Sequence, residues 1–428
     1  MLNHYGHMSY NPCSKCKITG VLSNKGHVIF PNIDNENRSD KEYRERNDED
    51  HHKDGDTPIA SLFQDIVAQT PFEYMHLVLL GIVKKTLSAF VTGKYGKNTK
   101  LSKHYIDIIS NRLNIISSYC PREFNRKPRS ISEYGNFKAT ECRQLLLYTG
   151  IVIFFDIVEQ NAYNHFLLLH SVMRCLSNNS PSEKLLYFSE LAIKSYVQLS
   201  SVIYNETFVS YNVHGLLHLV DDVRRFGSVD NFSAFPYENN MTFYRKNCRK
   251  PNQQLQQIVR RASEKNKIAK KIINNSIQSI IVNKMHSNGP LPEHICCCKQ
   301  FSRIRYHHLD LNLRKRDNCC ILKNGAICII DNIIFTDNSY FLFVRNFNLI
   351  EDFYDVGIKS STIGVYKCSN LSDIRYVIAI HSVKSKCYKM PIWKKIDDDE
   401  GSNEYICTEI ADEYVIIEML HTQIEQYC

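Results

Sequence analysis

Residues 232–240 read FSAFPYENN, and a long basic segment follows them. Proline is favoured at the first positions of a helix, so Phe235-Pro236 predicts a helix that begins just before Glu238. The segment behind it is rich in basic and poor in acidic residues. Its basic residues are Arg245, Lys246, Arg249, Lys250, Arg260, Arg261, Lys265, Lys267, Lys270 and Lys271. A charge run is usually a solvated face, but a one-sided run with interleaved aromatic residues favours contact with a phosphate backbone.

The composition is that of a folded protein. The chain has 428 residues, enough for two or three domains, and 43% of them are hydrophobic. Intrinsic disorder of the whole chain is therefore excluded. The net charge is +8, with a pI of about 8.6, which is a mild basic excess. The clustering of basic residues after residue 240 is therefore more informative than the size of the net charge.

Cysteine content and apolar runs bear on location. The chain has 16 cysteines, and its first residues lack the apolar core of a signal peptide. We therefore expect reduced thiols or metal ligands rather than disulfides. The longest apolar run, residues 145–155, is shorter than the roughly 18 residues of a membrane span. We expect a soluble, intracellular protein that is not secreted and does not cross a membrane.

The chain divides by pattern into three parts. Residues 1–57 predict a small β unit followed by a charged loop from residue 34. Residues 58–290 have mainly helical periodicity, with a helix capped by Ser102 and a capping box at 180–183 that places Pro181 at the first helical position. Residues 299–428 predict a separate small β domain. Its strongest signal is Asn324-Gly325 between two apolar runs, and we expect further strands at 340–344, 362–366 and 414–417.

Two cysteines have the spacing of half a zinc site. Cys13 and Cys16 form a Cys-x-x-Cys pair, and no second such pair exists in the chain. Two interpretations stay open, a zinc site or two buried thiols. The histidines considered as partners are His4, His7, His27, His51 and His52.

Two further stretches have residue types that carry chemistry. Glu73 and His76 lie three residues apart at a predicted strand-to-helix transition, where the alternative is a helix start that favours a carboxylate. His214 and His218 are four residues apart and share a helix face, a spacing that can bind metal. No glutamate lies between them as in a zinc-protease helix, so we expect a structural role for at least one of them.

Six short stretches of the sequence, in their order along the chain, resemble the transposase-like proteins of the CACTA (En/Spm) group. The resemblance extends from about residue 10 to residue 261. The phrases lie at 74–76, 126–130, 137–144, 163–170, 211–214 and 232–239, and a shorter phrase, 316–320, resembles the C-terminal region of the group.

The resemblance implies a fold and a chemistry. The fold class is α/β, a partial RNase H-like core with a large α-helical insertion (about 100–205), followed by a small all-β C-terminal domain. Such transposases hold two Mg²⁺ ions with three carboxylates for attack on a DNA phosphodiester. Glu238 matches the third carboxylate, and Glu73 stands where the family usually has Asp. His214 matches a superfamily histidine, although Tyr211 replaces the Cys or Asp three residues before it.

The first carboxylate of the set belongs to a strand upstream of the Cys-x-x-Cys phrase. We therefore expect an N-terminally truncated, transposase-derived chain that binds DNA without a full catalytic set. A second basic segment, with Arg126, Lys127 and Arg129, adds to the DNA-binding field. The alternatives are an active Mg²⁺-dependent strand-transfer enzyme, and a domesticated chromatin or protein-interaction module that uses the β domain. For all three interpretations we expect a nuclear or else a cytoplasmic location. Homo-oligomers are compatible with each of them.

Overall fold

The computed structural model describes residues 2–248, 251–272, 280–293, 298–395, 405–407 and 413–420; at 266–272 and 406 only the backbone is described. Residues 2–272 are mainly helical, and a β-rich part begins at residue 281. The helices are α1 Asp40–Glu45, α2 Lys84–Thr92, α3 Lys103–Ile116, α4 Ala139–Gln144, α5 Gly150–Ile153, α6 Gln160–Leu176, α7 Glu183–Ile203, α8 Tyr211–Gly215, α9 Leu219–Phe226, α10 Phe235–Asn247 and α11 Gln254–Ile272.

The centre of the helical part is formed by α6. This helix is buried on nearly all sides, as its apolar residues Ala162, Phe166 and Leu169 show, and α7 packs along it. A helix that is apolar all round needs neighbours on every face. Ser102 caps α3 by accepting a hydrogen bond from the Tyr105 amide, as the sequence predicted. At α7 the cap is Ser182 and not Ser180, so Pro181 lies before the helix and the predicted placement was wrong by two residues.

One helix is long and apolar enough to span a membrane by length and composition. It comprises the π-helical turns Met75–Val83 and their continuation in α2. More than half of it is buried inside the helical part, including Val78, Leu79 and Ile82. The core helix of a soluble protein meets the same two criteria, so packing within the protein accounts for its apolar composition.

The N-terminal part is the expected small β unit. Strands β1 (Val21–Leu22) and β2 (Val28–Ile29) pair as a hairpin, and Gly26 adopts a positive φ of 75° in its turn. The charged segment 34–57 is not only loop, because it contains α1 with a capping box between Ser39 and Glu42. This segment folds back over Cys13–Cys16: the Arg38 Nε donates to the Cys13 carbonyl oxygen at 2.8 Å.

The β-rich part contains a closed six-stranded barrel. The strands from residue 281 are β3 Ile281–His286, β4 Lys299–Tyr306, β5 Leu309–Asn312, β6 Cys319–Leu322, β7 Ile327–Thr336, β8 Ser339–Asp352, β9 Val365–Leu371, β10 Tyr376–Ala379, β11 Val383–Pro391, β12 Trp393–Lys395, β13 Tyr405–Cys407 and β14 Tyr414–Glu418. The ring runs β6–β7–β8–β9–β14–β11 and returns to β6, with every pair antiparallel. Closure leaves no free edge within the ring.

The predicted strands are largely confirmed. Asn324-Gly325 lies in the turn between β6 and β7, with Gly325 at a positive φ of 88°. Strands were expected at 340–344 and 414–417, and they lie within β8 and β14. The strand expected at 362–366 begins only at Val365, because Ser360–Ile363 forms a 3-10 turn that ends at Gly364 with a positive φ of 75°.

The barrel packs closely against the helices. One hydrophobic cluster contains helical residues such as Leu146 and barrel residues such as Val415. Arg174 of α6, 2% exposed, donates to the carbonyl oxygens of Ile363 and Glu418 in the β-rich part. The β domain is therefore distinct in secondary structure but not separate in packing.

A buried ionic network crosses the same interface. The ammonium of Lys386 in β11 lies 2.6 Å from Asp317 and 2.8 Å from Glu123, which precedes the helix α4. Arg122 also reaches Asp317, at 3.1 Å. We call Lys386, Asp317, Glu123 and Arg122 the Lys386 network. Lys386 and Asp317 are fully buried, and such charges are tolerated only when paired.

The expected open α/β sheet is not found among the described residues of the helical part. Within 2–248 and 251–272, β1 and β2 are the only paired strands, apart from isolated single-residue pairs. The expected strand directly before Glu73 is absent from the described chain, because residues 58–73 form turns and a short 3-10 helix, Ala60–Leu62. The RNase H-like core therefore stays a prediction, whereas the helical region and the all-β C-terminal part are confirmed.

Candidate metal centre

The two cysteines of the Cys-x-x-Cys pair are held in a buried turn. Cys13 and Cys16 are at most 1% exposed. The Lys15 amide lies 3.4 Å from the Cys13 Sγ, and Cys16 pairs with Asn37 of the folded-back segment. The short spacing thus directs both sulfur atoms to one side of the turn.

Two histidines from the far end of the helical part complete the group. His214 lies in α8 and His218 in the turn that follows it. The Sγ of Cys16 is 3.4 Å from the Nε2 of His214, and the Sγ of Cys13 is 3.4 Å from the Nε2 of His218. The two Nε2 atoms are 3.3 Å apart, and all four ligand atoms lie within 4.8 Å of one another. We call these four residues the Cys–His cluster.

The spacing of these atoms fits a tetrahedral zinc ion. With Zn–S near 2.3 Å and Zn–N near 2.0–2.1 Å, the ligand atoms of a tetrahedral site lie roughly 3.3–3.8 Å from one another. The two sulfur-to-nitrogen distances given above and the nitrogen-to-nitrogen distance of the Cys–His cluster lie within this range. Two cysteines and two histidines are also the donor set of many structural zinc sites. The cluster can therefore hold a metal ion, and its chemistry indicates zinc.

The two thiols differ in acidity. Burial opposes ionisation of Cys13, but hydrogen bonds with Cys16, His214 and His218 outweigh it and hold the pKa of Cys13 well below its usual range. The hydrogen bond to Cys13, together with burial, raises the pKa of the Cys16 thiol. One thiolate is thus already favoured in the metal-free protein, and thiolates are the form that binds metal.

Neighbouring groups orient the cluster. Lys15 and Asp222 form a buried ion pair of 2.6 Å, and the other carboxylate oxygen of Asp222 accepts from the Phe72 amide at 2.9 Å. The Phe72 ring stacks on His218 with centroids 5.6 Å apart. The Nδ1 of His214 is buried without a hydrogen-bond partner in the described structure. Packing, rather than a carboxylate on Nδ1, therefore fixes the His214 ring.

A cavity of about 440 Å³ borders one side of the cluster. Its lining includes Cys16, His214 and His218, together with residues of the folded-back segment and of α7. The lining carboxylates are Asp34, Glu36, Glu190 and Asp221, and Lys194 is the cation among them. The negative balance favours the approach of a divalent cation.

The carboxylates expected to bind Mg²⁺ lie in a second group. Glu73 Oε1 accepts from the amides of Met75 and Ala234, and Oε2 accepts from the His76 amide, each at 2.7 Å. The Nδ1 of His76 is 2.7 Å from Glu73, and its Nε2 is 3.3 Å from Glu238. The structure thus joins Glu73 and Glu238 through His76. It also shows Glu73 capping the helix that begins at Met75.

This second group is more exposed than the Cys–His cluster. The side chains of His76 and Glu238 are 57% and 59% exposed, and that of Glu73 is 29% exposed. Among the described residues, the Cys–His cluster is the one group of three or more His, Cys, Asp or Glu side chains that could hold a metal ion. A magnesium site at Glu73 and Glu238 stays a prediction.

The predicted DNA-binding residues have different surroundings. Arg245, Lys246 and Arg260 are exposed, and Glu264 pairs with both Arg260 and Arg261, at 3.4 and 2.7 Å. Arg249 and Lys250 lie outside the described residues.

In the second basic segment only part of the charge faces solvent. Arg126 and Lys127 are exposed. Arg129 bonds to Glu141 at 2.7 Å, to Glu133 at 3.0 Å and to the Asn136 carbonyl oxygen at 2.9 Å. Its donors are used within the protein, which leaves Arg126 and Lys127 as the surface cations.

Sequence reasoning missed the pairing of the cysteines with His214 and His218. It considered histidines closer in sequence instead. In the structure His4 stacks on His51, and His51 and His52 lie against Tyr43 with their own ring centroids 4.8 Å apart. The available signal was the four-residue spacing of His214 and His218, which matches the second half of a Cys₂His₂ zinc site.

Comparison with known proteins gives one match. Residues 285–417 match a family described as a domain of unknown function (DUF8592). The match covers most of the β-rich part and less than half of the chain. No curated protein and no solved structure matches the chain.

Proposed function

We propose that this protein is a transposase-derived DNA-binding protein whose helical part is stabilised by a zinc ion at the Cys–His cluster. One observation carries the DNA-binding proposal: α10 and α11 form a basic helical hairpin that projects from the core. The resemblance to CACTA transposases supports the same interpretation, since the phrase that opens α10 is part of it.

The hairpin buries very little of its own surface. Phe235 is the one buried residue of α10, and the described side chains of α11 are all at least partly exposed. The two helices contact each other through Lys265, whose Nζ lies 4.9 Å from the Phe243 ring centre and 3.1 Å from the Asn240 side-chain oxygen. Helices derive most of their stability from packing, so a poorly packed basic hairpin fits a role in which DNA supplies the missing contacts.

The zinc ion contributes by joining distant segments. It would tie the N-terminal turn at Cys13 and Cys16 to α8 and the turn after it. Phe72, whose ring stacks on His218, is followed in sequence by Glu73. The Glu73 carboxylate in turn accepts a hydrogen bond from the Ala234 amide at the start of α10. A bound ion therefore supports the segment from which the basic hairpin begins. DNA binding also favours the nucleus as the place of action.

The test is a salt titration of DNA affinity. Fluorescence anisotropy with a short labelled duplex gives the slope of log K against log salt, which is about −0.9 for each phosphate contact. For the double variant Arg245→Gln/Lys246→Gln we expect weaker binding and a slope less steep by about 1.8, because two contacts are removed.

The matched control removes the same charge elsewhere. The double variant Lys103→Gln/Lys184→Gln changes two exposed lysines of α3 and α7. We expect it to leave the slope within experimental error of the wild type. Equal losses for the two double variants, or an affinity independent of salt, would reject the hairpin as the DNA-binding surface. Those results would favour the interpretation of a protein-interaction module instead.

A second candidate function is Mg²⁺-dependent DNA strand transfer. The contact of His76 with both Glu73 and Glu238 favours it, because it brings two of the family's carboxylate positions into one group. A nicking assay with Mg²⁺ or Mn²⁺ tests it, with Glu351→Gln, at an exposed glutamate of β8, as the matched control. Loss of nicking in Glu238→Gln alone would support a catalytic role. Nicking that persists in Glu238→Gln would exclude Glu238 as a metal ligand.

A further inference from the structure

A large cavity lies where the helical part meets the β-rich part. Its volume is about 760 Å³, within the range of small-molecule sites, which occur preferentially at domain interfaces. One wall comes from α6 and α7, another from the segment before α3, and a third from Asp355 and Val356 after β8. The cavity shares no lining residue with the Cys–His cluster or the basic hairpin.

Two buried polar groups at this cavity have no partner. His165 is 2% exposed, and its Nδ1 makes no hydrogen bond within the described structure. The hydroxyl of Thr99, in a residue that is 5% exposed, is likewise unpaired there. Buried polar groups are normally satisfied, so both atoms point to a ligand.

The protonation state of His165 defines what it can bind. Its Nε2 lies 3.0 Å from the Tyr196 carbonyl oxygen, an acceptor, so the ring proton is on Nε2. Burial lowers the pKa of His165 to about 4, which keeps the ring neutral near neutral pH. The unpaired Nδ1 is therefore an acceptor, and the missing partner is a hydrogen-bond donor.

The charges at the mouth select the sign of the ligand. Besides Thr99 and His165, the polar residues of the cavity lining are the carboxylates Glu159 and Asp355 and the carboxamides Asn98, Asn161 and Asn164. Within the described parts of the chain, neither Lys nor Arg lines it. Glu159 caps α6 and Asp355 accepts from the Gly357 amide, so both carboxylates are held in place. A cation is attracted by this arrangement and an anion, such as a phosphate, is repelled.

The remaining lining is aliphatic. It consists of Leu168, Leu199, Val202, Ile203 and Val356. Val202 is 79% exposed and stands at the rim. Side chains of this kind bury a short hydrocarbon body and add no aromatic or charged partner.

We propose that this cavity binds a small aliphatic amine. Its ammonium or amine hydrogen reaches the Nδ1 of His165 and the rim carboxylates, and its hydrocarbon body packs on Leu168, Leu199 and Ile203. Thr99 supplies a further polar contact. The proposal rests on the cavity alone and is independent of the zinc and DNA-binding proposals.

The experiment compares two probes of nearly the same shape and opposite charge. The purified full-length chain is titrated with 3-methylbutylamine and with 3-methylbutyrate, by calorimetry and ligand-observed saturation-transfer NMR. For a ligand this small we expect an affinity in roughly the millimolar to high micromolar range. We expect the amine to bind at least about tenfold more tightly than the carboxylate, because the rim charges favour one and oppose the other.

Three variants test the location. Val202→Trp fills the rim and should weaken amine binding at least about tenfold, whereas Tyr187→Trp, an exposed change on the same helix, should leave it unchanged. Thr99→Val keeps the shape and should weaken binding about fivefold through one lost hydrogen bond. The proposal is overturned if the amine does not bind, if the carboxylate binds as well, or if both tryptophan variants behave alike.

Discussion

Two buried polar groups join distant segments of this chain, and they differ in what they need. The Lys386 network joins the barrel to the helical part with charges that the protein itself supplies. The Cys–His cluster joins the N-terminal turn to the region of α8 with four metal-ligating side chains that converge on one point. Among the described residues, no positively charged side chain is placed at that point. One thiolate is favoured there, yet Lys15 points to Asp222 instead of to the sulfur atoms.

The two junctions respond differently to their surroundings. The Lys386 network is weakened by mutation, because the loss of one partner leaves a buried charge uncompensated. A junction made only of donors depends on the concentration of the ion that it binds. Stability that varies with free zinc would therefore come from the Cys–His cluster, and stability that does not vary would come from the rest of the protein.

The largest expected effect is on the Cys–His cluster. Chelation of zinc, or Cys16→Ser, should lower the free energy of unfolding by on the order of 5 kcal/mol or more, because metal binding and folding are coupled. In the wild type each tenfold rise in free zinc should add about 1.4 kcal/mol at saturating concentrations. Denaturation at buffered zinc concentrations measures both, and metal analysis should find one zinc per chain.

Cys142→Ser is the matched control for this prediction. Cys142 is also a fully buried thiol, but it belongs to α4 and not to the Cys–His cluster. Its variant should be destabilised to an extent that does not depend on zinc. If the wild type lacks zinc dependence, or Cys142→Ser alters it, the metal centre is refuted.

The next effect concerns the Lys386 network. Lys386→Met should cost about 3–5 kcal/mol, since Glu123 would remain buried without its cation and Asp317 would keep only Arg122 and Arg316, which are partly exposed. Burial already raises the pKa of Glu123 despite Lys386, whereas Lys386 and hydrogen bonds outweigh burial and lower the pKa of Asp317. Chemical denaturation measures the cost. A triple variant with Asp317→Asn and Glu123→Gln should recover part of it, and no recovery would contradict the role of charge.

Acid should act mainly through buried histidines in the helical part. Burial lowers the pKa values of His51 and His165 to about 4 and that of His170 to about 3. Below pH 6.5 the unfolded chain takes up protons that the folded chain does not. Stability is therefore complete above pH 6.5 and falls by about 1.4 kcal/mol per pH unit per histidine down to about pH 4.

The pH dependence can be assigned by substitution. His165→Gln should reduce the slope of unfolding free energy against pH by about one proton's share. Asn164→Gln, a neighbouring exposed change that removes no titratable group, should leave that slope nearly unchanged. A slope that is the same in both variants and in the wild type would show that other groups control acid unfolding.

The smallest expected effect supplies a local baseline. Ser102 caps α3 and joins nothing distant, so Ser102→Ala should cost about 1 kcal/mol through the lost hydrogen bond to the Tyr105 amide. Thermal or chemical denaturation measures it, and the effect should be the same at all zinc concentrations. A cost comparable to that of Lys386→Met would mean that local caps and long-range junctions contribute alike.

The sequence predicted what depends on local pattern. The helix capped by Ser102, the hairpin at Asn324-Gly325 and the all-β C-terminal part follow from spacing and turn chemistry, and all are present. Half of the candidate metal centre followed from the Cys-x-x-Cys spacing. These features need only neighbours within a few residues along the chain.

Features that depend on distant partners were not predictable in the same way. The partners of Cys13 and Cys16 lie about 200 residues away, and nearer histidines competed as ligands in the sequence. The sequence around Arg129 predicts a surface cation, but the Arg129 guanidinium is paired with Glu141. The barrel's contact with the helices depends on Arg174 and Lys386, single residues whose burial no periodic pattern indicates.

Barrel closure also sets an order on synthesis. Strand β14 is the last described strand of the chain, yet it lies between β9 and β11 in the ring. While the chain emerges from the ribosome, β9 and β11 have unpaired edges until β14 is synthesised. Arg174 likewise lacks the Glu418 carbonyl oxygen as an acceptor during this time. The barrel is thus exposed to strand exchange and aggregation until its final hydrogen bonds form, and chaperone dependence should be concentrated in that interval.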